Sequence, residues 1–466
     1  MKLSFTLSEL AQAANGRIAS GPENAFIQCI STDSRKIAPG DWFLALRGEN
    51  FDGHAFAAQV LENGAGGLIL AADAPQARQL PASANVLLVE DTLRALGDIA
   101  HAWRKRINPL MACIAGSNGK TTTKDIAACT LASREDALAS KGNFNNLIGL
   151  PSTILEILPT HKMLLAELGM NTAGELQRLT QIADPDVAAL TNIGEAHVGQ
   201  FGSIEGLIRA KGELIRSMRP GARLVANADC EKSRSAVKQW GGHLAITWFG
   251  SNGGAWRAEN IEAIEPWGYA FDLIAPEGRA RVRLQAYGRH NVGNAVCAAA
   301  LLHEMGFGLN SIAEGIERFR PASMRSLARV IHGVTIIEDC YNASPSAMLA
   351  ALDSLKDLQV SGMHHLVLGD MLELGEAEEQ FHRTVGEAAA QLPRVRLYCV
   401  GPRAQWIAQS ASNQSAQADT FESADDAAVA LLPNVKPGDA VLIKGSRRMK
   451  LEMVAQALQA HLEQQF

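Results

Sequence analysis

The amino-acid sequence predicts an α/β protein of three consecutive domains: a small α/β domain, a central parallel-sheet domain of the P-loop type, and a C-terminal Rossmann-like domain. Three observations carry this reading. The chain has 466 residues, about three times the ~150 residues of an average domain. From residue 110 onward, short apolar runs alternate with stretches of helical periodicity, the pattern of strands joined by right-handed crossovers into a sheet covered on both faces. Around FRPASMRS the alternation stops at Pro321 and then restarts, which marks a linker between two such units.

Residues 1–107 contain an amphipathic helix over Leu7 to Ala14, turn-rich short strands in STDSRKIAPGDWFLALRG, and a helix from Thr92 to Arg106. Residues 108–322 form the central domain. Strands are expected at LMACIAG, DALAS, KMLLAELG, DVAALTNIG, ARLVANAD and AITWFG, with helices from Thr121 and near Ser152, Ala173, Ile204 and Glu231. Residues 255–287 read as added antiparallel strands, and a helix follows from His290 to Met305. In residues 323–466, VTIIEDCYN, HLVLGD, RLYCVG and AVLIKGS are each followed by helical periodicity, a second doubly wound pattern.

Composition narrows the class of function. Hydrophobic residues make up 47% and charged residues 20%, as in a soluble globular protein. The net charge of −6 argues against a dedicated nucleic-acid binder, so anionic ligands must be met by local donors. No run approaches the ~18 apolar residues of a membrane span, and the N-terminus lacks the apolar core of a signal peptide. The seven cysteines (Cys29, Cys113, Cys129, Cys230, Cys297, Cys340, Cys399) are odd in number and form no C-x-x-C pair, which points to a reducing cytoplasm. The chain is expected to act there as a monomer.

The chemistry concentrates at the ends of the expected parallel strands. In IAGSNGKTTT, Gly116, Ser117, Asn118, Gly119, Lys120, Thr121 and Thr122 run from a strand through a turn into a helix. That placement turns backbone N–H groups and the helix dipole toward an anion. Lys120 suits the β- and γ-phosphates of ATP and the Thr121 hydroxyl suits Mg²⁺, although only two residues separate the glycines where a Walker A loop has four. Glu167 in LLAELGM and His197 in TNIGEAHVGQF follow two further strands, whose carboxyl ends share one rim in an open α/β sheet.

Taken together, IAGSNGKTTTK, TNIGEAHVGQF followed by AKGEL, and GRHNVGNAVCAAA resemble the Mur ligase family of ATP-dependent amide-forming enzymes of peptidoglycan precursor synthesis. The resemblance spans almost the whole chain, includes the three-domain order, and accounts for the shortened loop. It implies that Lys211 of AKGEL is carbamylated, and that Thr121, Glu167, His197 and Lys211 hold Mg²⁺. A partly buried lysine with a depressed pKa stays neutral enough to capture CO₂, and the carbamate offers oxygen ligands suited to Mg²⁺.

Further roles follow from the resemblance, position by position. Asn291 and Asn294 of HNVGN match the adenine contacts, Asp339 of IIEDCYN the ribose-binding aspartate, and Arg325 an arginine that reaches the γ-phosphate. Met324 stands where the family has glycine before that arginine. In the first domain, STDSRKIAPGDWFLALRGENFDGHAF resembles a uridine-diphosphate-binding domain, with Ser34, Arg35, Phe51, Asp52 and Gly53 as nucleotide contacts. Asn146 of GNFNNLIGLP is a candidate for substrate phosphate or carbonyl oxygens.

EDCYNASPSAM, LVLGDMLELGE and LIKGSRRMKLE resemble the members that add D-alanyl-D-alanine to UDP-N-acetylmuramoyl-tripeptide through an acyl phosphate. The alternatives are a ligase for another amino acid and a nucleotide-switched binding protein without ligase activity.

Overall fold

The structure is a computed structural model that describes residues 3–48, 51–195 and 198–465. It has the expected α/β class. The core of the central domain is a six-stranded, all-parallel sheet, in the order Ala245–Phe249, Arg223–Asn227, Val187–Leu190, Leu110–Ala115, Met163–Glu167, Ala137–Ala139. Leu110–Ala115 is the first of these strands in the chain yet lies inside the sheet, so the strand order reverses beside it. Glu167 pairs with Ile114 and Leu190 with Ala115, which brings three carboxyl ends into register at the reversal, where open α/β sheets bind ligands.

Why these residues form buried strands is visible in LMACIA. Side chains alternate between the faces of a strand. Met111, Cys113 and Ala115 pack in one core, and Ala112 and Ile114 in another. A strand covered on both faces therefore reads as a continuous apolar run. The second core is closed by the helices Lys120–Leu131, His290–Glu304 and Leu309–Arg318 and by an antiparallel sheet of Arg257–Ala263, Tyr269–Ala275 and Gly278–Leu284.

The first core is shared with the N-terminal part of the chain, whose five-stranded mixed sheet stands beside it. The helix Thr92–Ile107 joins the two. Its buried Trp103 donates Nε1–H to Ile157 O at 3.0 Å, and its 1% exposed Arg104 bonds Ala183 O and Asp186.

The C-terminal sheet has the order Leu327–Ile331, Val334–Glu338, Ala440–Lys444, His364–Gly369, Val395–Val400, Gln417–Phe421. All neighbours are parallel except the first pair. Leu327–Ile331, between the linker at FRPASMRS and the first expected strand, and Gln417–Phe421 are strands that the sequence pattern does not announce. Both are edge strands with partly exposed residues, and so lack the apolar run by which interior strands are recognised.

This unit docks on the central one. Tyr287 packs in the C-terminal core and donates its hydroxyl to Ala351 O at 3.0 Å, while Tyr269 Oη donates to Asp357 Oδ2 at 2.8 Å. Among the described residues, no helix is long and apolar enough to cross a membrane.

Candidate active site

The loops leaving Leu110–Ala115, Met163–Glu167 and Val187–Leu190 meet at the reversal of strand order. The first turns in a space that admits no side chains. Gly116 has φ 141° and Gly119 φ 79°. A Cβ would lie 2.0 Å from Thr191 Oγ1 at Gly116 and 2.2 Å from Asn294 Oδ1 at Gly119, so conformation and space both require glycine. The helix Lys120–Leu131 starts immediately after, with its amino end on the rim.

Lys120 folds back over this loop, Nζ donating to Gly116 O and Ser117 O at 3.0 Å each. From the end of the helix Ile204–Lys211, Lys211 reaches the same Gly116 O at 3.2 Å and is 3% exposed. Burial, and after it the nearby Lys120 charge, holds the Lys211 amine well below the ordinary lysine range, against a lesser opposing pull from Glu213. Lys120 is lowered as well, chiefly by burial, with Glu167 opposing and Arg325 contributing. Two cations beside one carbonyl disfavour double protonation, and Lys211 is the one driven toward the neutral amine.

Glu167, 1% exposed, has both oxygens engaged: Oε2 accepts from Thr121 Oγ1 and Oε1 from Asn145 Nδ2, each at 2.7 Å. A hydroxyl and a carboxylate at this rim of the sheet form an oxygen donor set of the kind that suits Mg²⁺, which takes one or two carboxylates together with substrate phosphates. Among the described residues no cluster of three His, Cys, Asp or Glu side chains exists to hold a metal alone. His197 lies outside the described residues.

Beside the loop opens a cavity of about 640 Å³, lined from the central part by Asn118, Thr122, Asn291 and Asn294 and from the C-terminal part by Arg325 and Asp339. Residues hundreds of positions apart are thus brought to one space. Asn294 Nδ2 donates to Asn291 Oδ1 at 2.8 Å, and Asn291 Nδ2 to Tyr287 O at 2.7 Å. His290 also lines the cavity; its Nδ1 is buried without a hydrogen-bond partner, and burial lowers its pKa. A neutral imidazole with an orphaned nitrogen in a cleft of this size fits a heteroaromatic ligand.

Arg325 stacks on Tyr341, its guanidinium carbon 3.7 Å from the ring centroid. Met324 and Ser326 on either side have φ 63° and 52°, so the residue standing in for glycine does adopt a left-handed conformation. Asp339 Oδ2 accepts from Lys444 Nζ at 2.6 Å, and Oδ1 accepts from Ser326 N at 3.0 Å.

The first-domain candidates do not line this cavity. Asp33 caps the short turn Ser34–Lys36 and pairs with the exposed Arg35, whose hydrogen bonds hold its carboxyl down at about 2. Phe51 is 59% exposed, and Asp52 Oδ1 accepts from His54 N at the turn Gly53–Phe56. Asn146 Oδ1 accepts from Ile148 N and Gly149 N in the turn that leads into the helix Gly149–Leu155, while its neighbour Asn145 makes the contact with Glu167. Sequence reasoning missed Asn145 and Lys444, although both lie in stretches already singled out, GNFNNLIGLP and LIKGSRRMKLE.

Three family models match in chain order: "Mur ligase family, catalytic domain" over residues 26–104, "Mur ligase middle domain" over 114–302, and "Mur ligase, glutamate ligase domain" over 324–447. A UDP-N-acetylmuramoyl-tripeptide–D-alanyl-D-alanine ligase of Bacillus subtilis (strain 168) is 33% identical over 97% of this chain and 98% of its own. A crystal structure of MurF from Acinetobacter baumannii superimposes with a TM-score of 0.89 at 33% identity, covering 98% of this chain and 99% of that one. MurF ligase from Thermotoga maritima, in complex with ADP, gives 0.83 at 27% identity over 94% and 98%.

Proposed function

The chain belongs to the Mur ligase family, and from that premise we propose that it joins UDP-N-acetylmuramoyl-tripeptide to D-alanyl-D-alanine at the expense of ATP. The observation that carries the reading is the meeting, at one sheet rim, of Lys120 and Lys211 on Gly116 O with the Thr121–Glu167 pair. Alongside it stands the likeness in sequence and fold to enzymes named for this reaction.

A carboxylate at neutral pH is a poor electrophile, and its oxygen a poor leaving group. Transfer of the γ-phosphoryl group to the tripeptide's terminal carboxylate gives an acyl phosphate and ADP. The dipeptide amine then attacks the carbonyl carbon, the C–O bond to phosphate breaks, the nitrogen gives up its proton, and inorganic phosphate leaves. No protein nucleophile takes part. Lys120 and Arg325 supply positive charge to the transferring group, and the 116–122 loop positions it, which is where catalysis of phosphoryl transfer resides.

Asn291, Asn294 and His290 line the space for the base, and Asp339, anchored by Lys444, faces the sugar. Thr121 and Glu167, with His197 and a carbamylated Lys211, would hold Mg²⁺, which offsets phosphate charge. The neutral amine favoured at Lys211 is the form that takes up CO₂. Ser34, Arg35, Phe51, Asp52 and Gly53 hold the uridine diphosphate, and Asn146 keeps its amide N–H₂ for the muramoyl substrate.

The test is phosphate release from ATP by the purified protein, with the UDP-muramoyl-tripeptide and D-alanyl-D-alanine omitted in turn. Release requires both; release that ignores the dipeptide rejects the reading.

A further inference from the structure

Asn118 stands at the crest of the phosphate loop, yet both of its side-chain hydrogen bonds leave its own domain. Nδ2 donates to Ser346 Oγ at 3.1 Å, and Oδ1 accepts from Ser344 Oγ at 3.2 Å. Its main chain is held just as fully: the N–H donates to Asn192 Oδ1 at 3.0 Å, and the carbonyl accepts from Thr191 Oγ1 at 2.6 Å and Asn192 Nδ2 at 3.2 Å. The residue that reaches the C-terminal part is thus firmly joined to the loop that follows Val187–Leu190 on the central rim.

The C-terminal side carries an independent sign that this contact is built. Ser344 is the N-cap of the helix Pro345–Ser354, with extended backbone (φ −140°, ψ 158°), where a serine hydroxyl ordinarily accepts from the first helical N–H groups. Here it makes no capping bond. Buried at 3% exposure, it turns instead to Asn118. A local preference given up for an interdomain bond marks where the two parts are fitted together.

We infer that Asn118 is a positioning residue that ties the phosphate loop to Ser344 and Ser346, making loop geometry and docking of the C-terminal domain a single equilibrium. Two sites that bias one equilibrium are reciprocally linked: nucleotide on the loop favours docking, and docking favours nucleotide. The inference rests on the ligase reading for the identity of that nucleotide and on geometry alone for the tie.

Four full-length variants test it: Asn118→Ala, Asn118→Asp, Ser344→Ala with Ser346→Ala, and Asn118→Ala combined with both serine changes. Small-angle scattering without nucleotide reads docking. Asn118→Ala and the double serine variant shift toward larger dimensions; Asn118→Asp stays compact, because a carboxylate accepts from both hydroxyls and sits at a helix amino end. Calorimetric titration with ADP reads the linkage. The alanine and serine variants each weaken binding by the same factor, roughly tenfold, and their combination weakens it no further. Asn118→Asp loses ADP through charge while remaining docked.

Wild-type dimensions for Asn118→Ala, or losses of ADP affinity that multiply on combination, overturn the inference. Failure of the wild type to bind ADP would instead count against the proposed function and leave the scattering result standing.

Discussion

Lys120 and Lys211 donate to one carbonyl, that of Gly116, at 3.0 and 3.2 Å. Ninety residues of chain separate two amino groups that the sheet brings to a single acceptor. Their roles divide by degree: Lys120 opens the helix, half-buried and with its pKa lowered, while Lys211 is fully buried and driven further toward neutrality.

Replacing Lys120 with alanine removes the cation from the loop and leaves its backbone intact. Turnover should fall by about a thousandfold, the scale of losing one preorganised charge contact in the transition state. Phosphate release under saturating substrates measures this, with circular dichroism confirming an unchanged fold.

Lys211→Ala should lose turnover by about a hundredfold or more and recover part of it on addition of a short carboxylate that stands in for the carbamate. Wild-type enzyme held free of CO₂ should lose activity and regain it with bicarbonate. An intact-mass measurement that finds no carbamate, together with indifference to bicarbonate, would count against the role given to this lysine.

Asn145→Ala leaves Glu167 Oε1 without its donor. A residue that orients a metal-binding carboxylate typically contributes 10- to 100-fold to metal affinity (about that range here). The Mg²⁺ concentration for half-maximal phosphate release should rise by that factor, while the dependence on dipeptide stays unchanged.

Met324 has φ 63°, which costs a side-chain-bearing residue about 1–2 kcal/mol. Glycine escapes that cost and alanine does not. Met324→Gly should therefore be more stable than Met324→Ala by about 1 kcal/mol in urea unfolding, the reverse of the usual order. Equal stabilities would show that the strain is relieved elsewhere.

His382 must be neutral in the fold: Nε2 accepts from Met371 N at 2.9 Å while Nδ1 faces Glu378 O at 2.6 Å. Burial, the largest influence, lowers its pKa below 6.5. With the folded value depressed, the unfolded chain binds more protons in the window below 6.5. Stability is then full above that pH and declines as pH falls toward the folded value. Denaturation midpoints should drop on acidification through this window, and His382→Gln should flatten the slope. His290, His364 and His365 are lowered by burial as well, so a residual slope remains.

How far the sequence could be read depended on what each residue faces. Interior strands such as LMACIA announce themselves because both faces are buried, and the phosphate loop because its glycines are sterically required. Edge strands gave no such signal. The tie from Asn118 to Ser344 and Ser346 links residues more than 220 positions apart, and a serine before Pro345 reads locally as a helix cap. Choosing Asn145 over Asn146 as the partner of Glu167 depended on backbone direction within NFNN, which no residue-type preference encodes. Arg325 rests on resemblance alone; its stacking on Tyr341, between two left-handed residues that are not glycine, has no signal in residue type.

The helix Thr92–Ile107 ties the first domain to the second through Trp103, Arg104 and His101, whose partners lie at Ile157, Ala183, Asp186 and Ile182. On the ribosome this helix emerges some eighty residues before its last partner. Phe5 and the helix Leu7–Ala13 cover one part of its apolar face, but the rest stays open until the helices Gly149–Leu155 and Glu175–Ala183 have been synthesised. The N-terminal domain therefore cannot finish folding while it is the only part of the chain outside the exit tunnel. The second domain thus completes the packing of the first, and a translational pause between residues 107 and 186 would leave the uncovered part of that face open to chaperones.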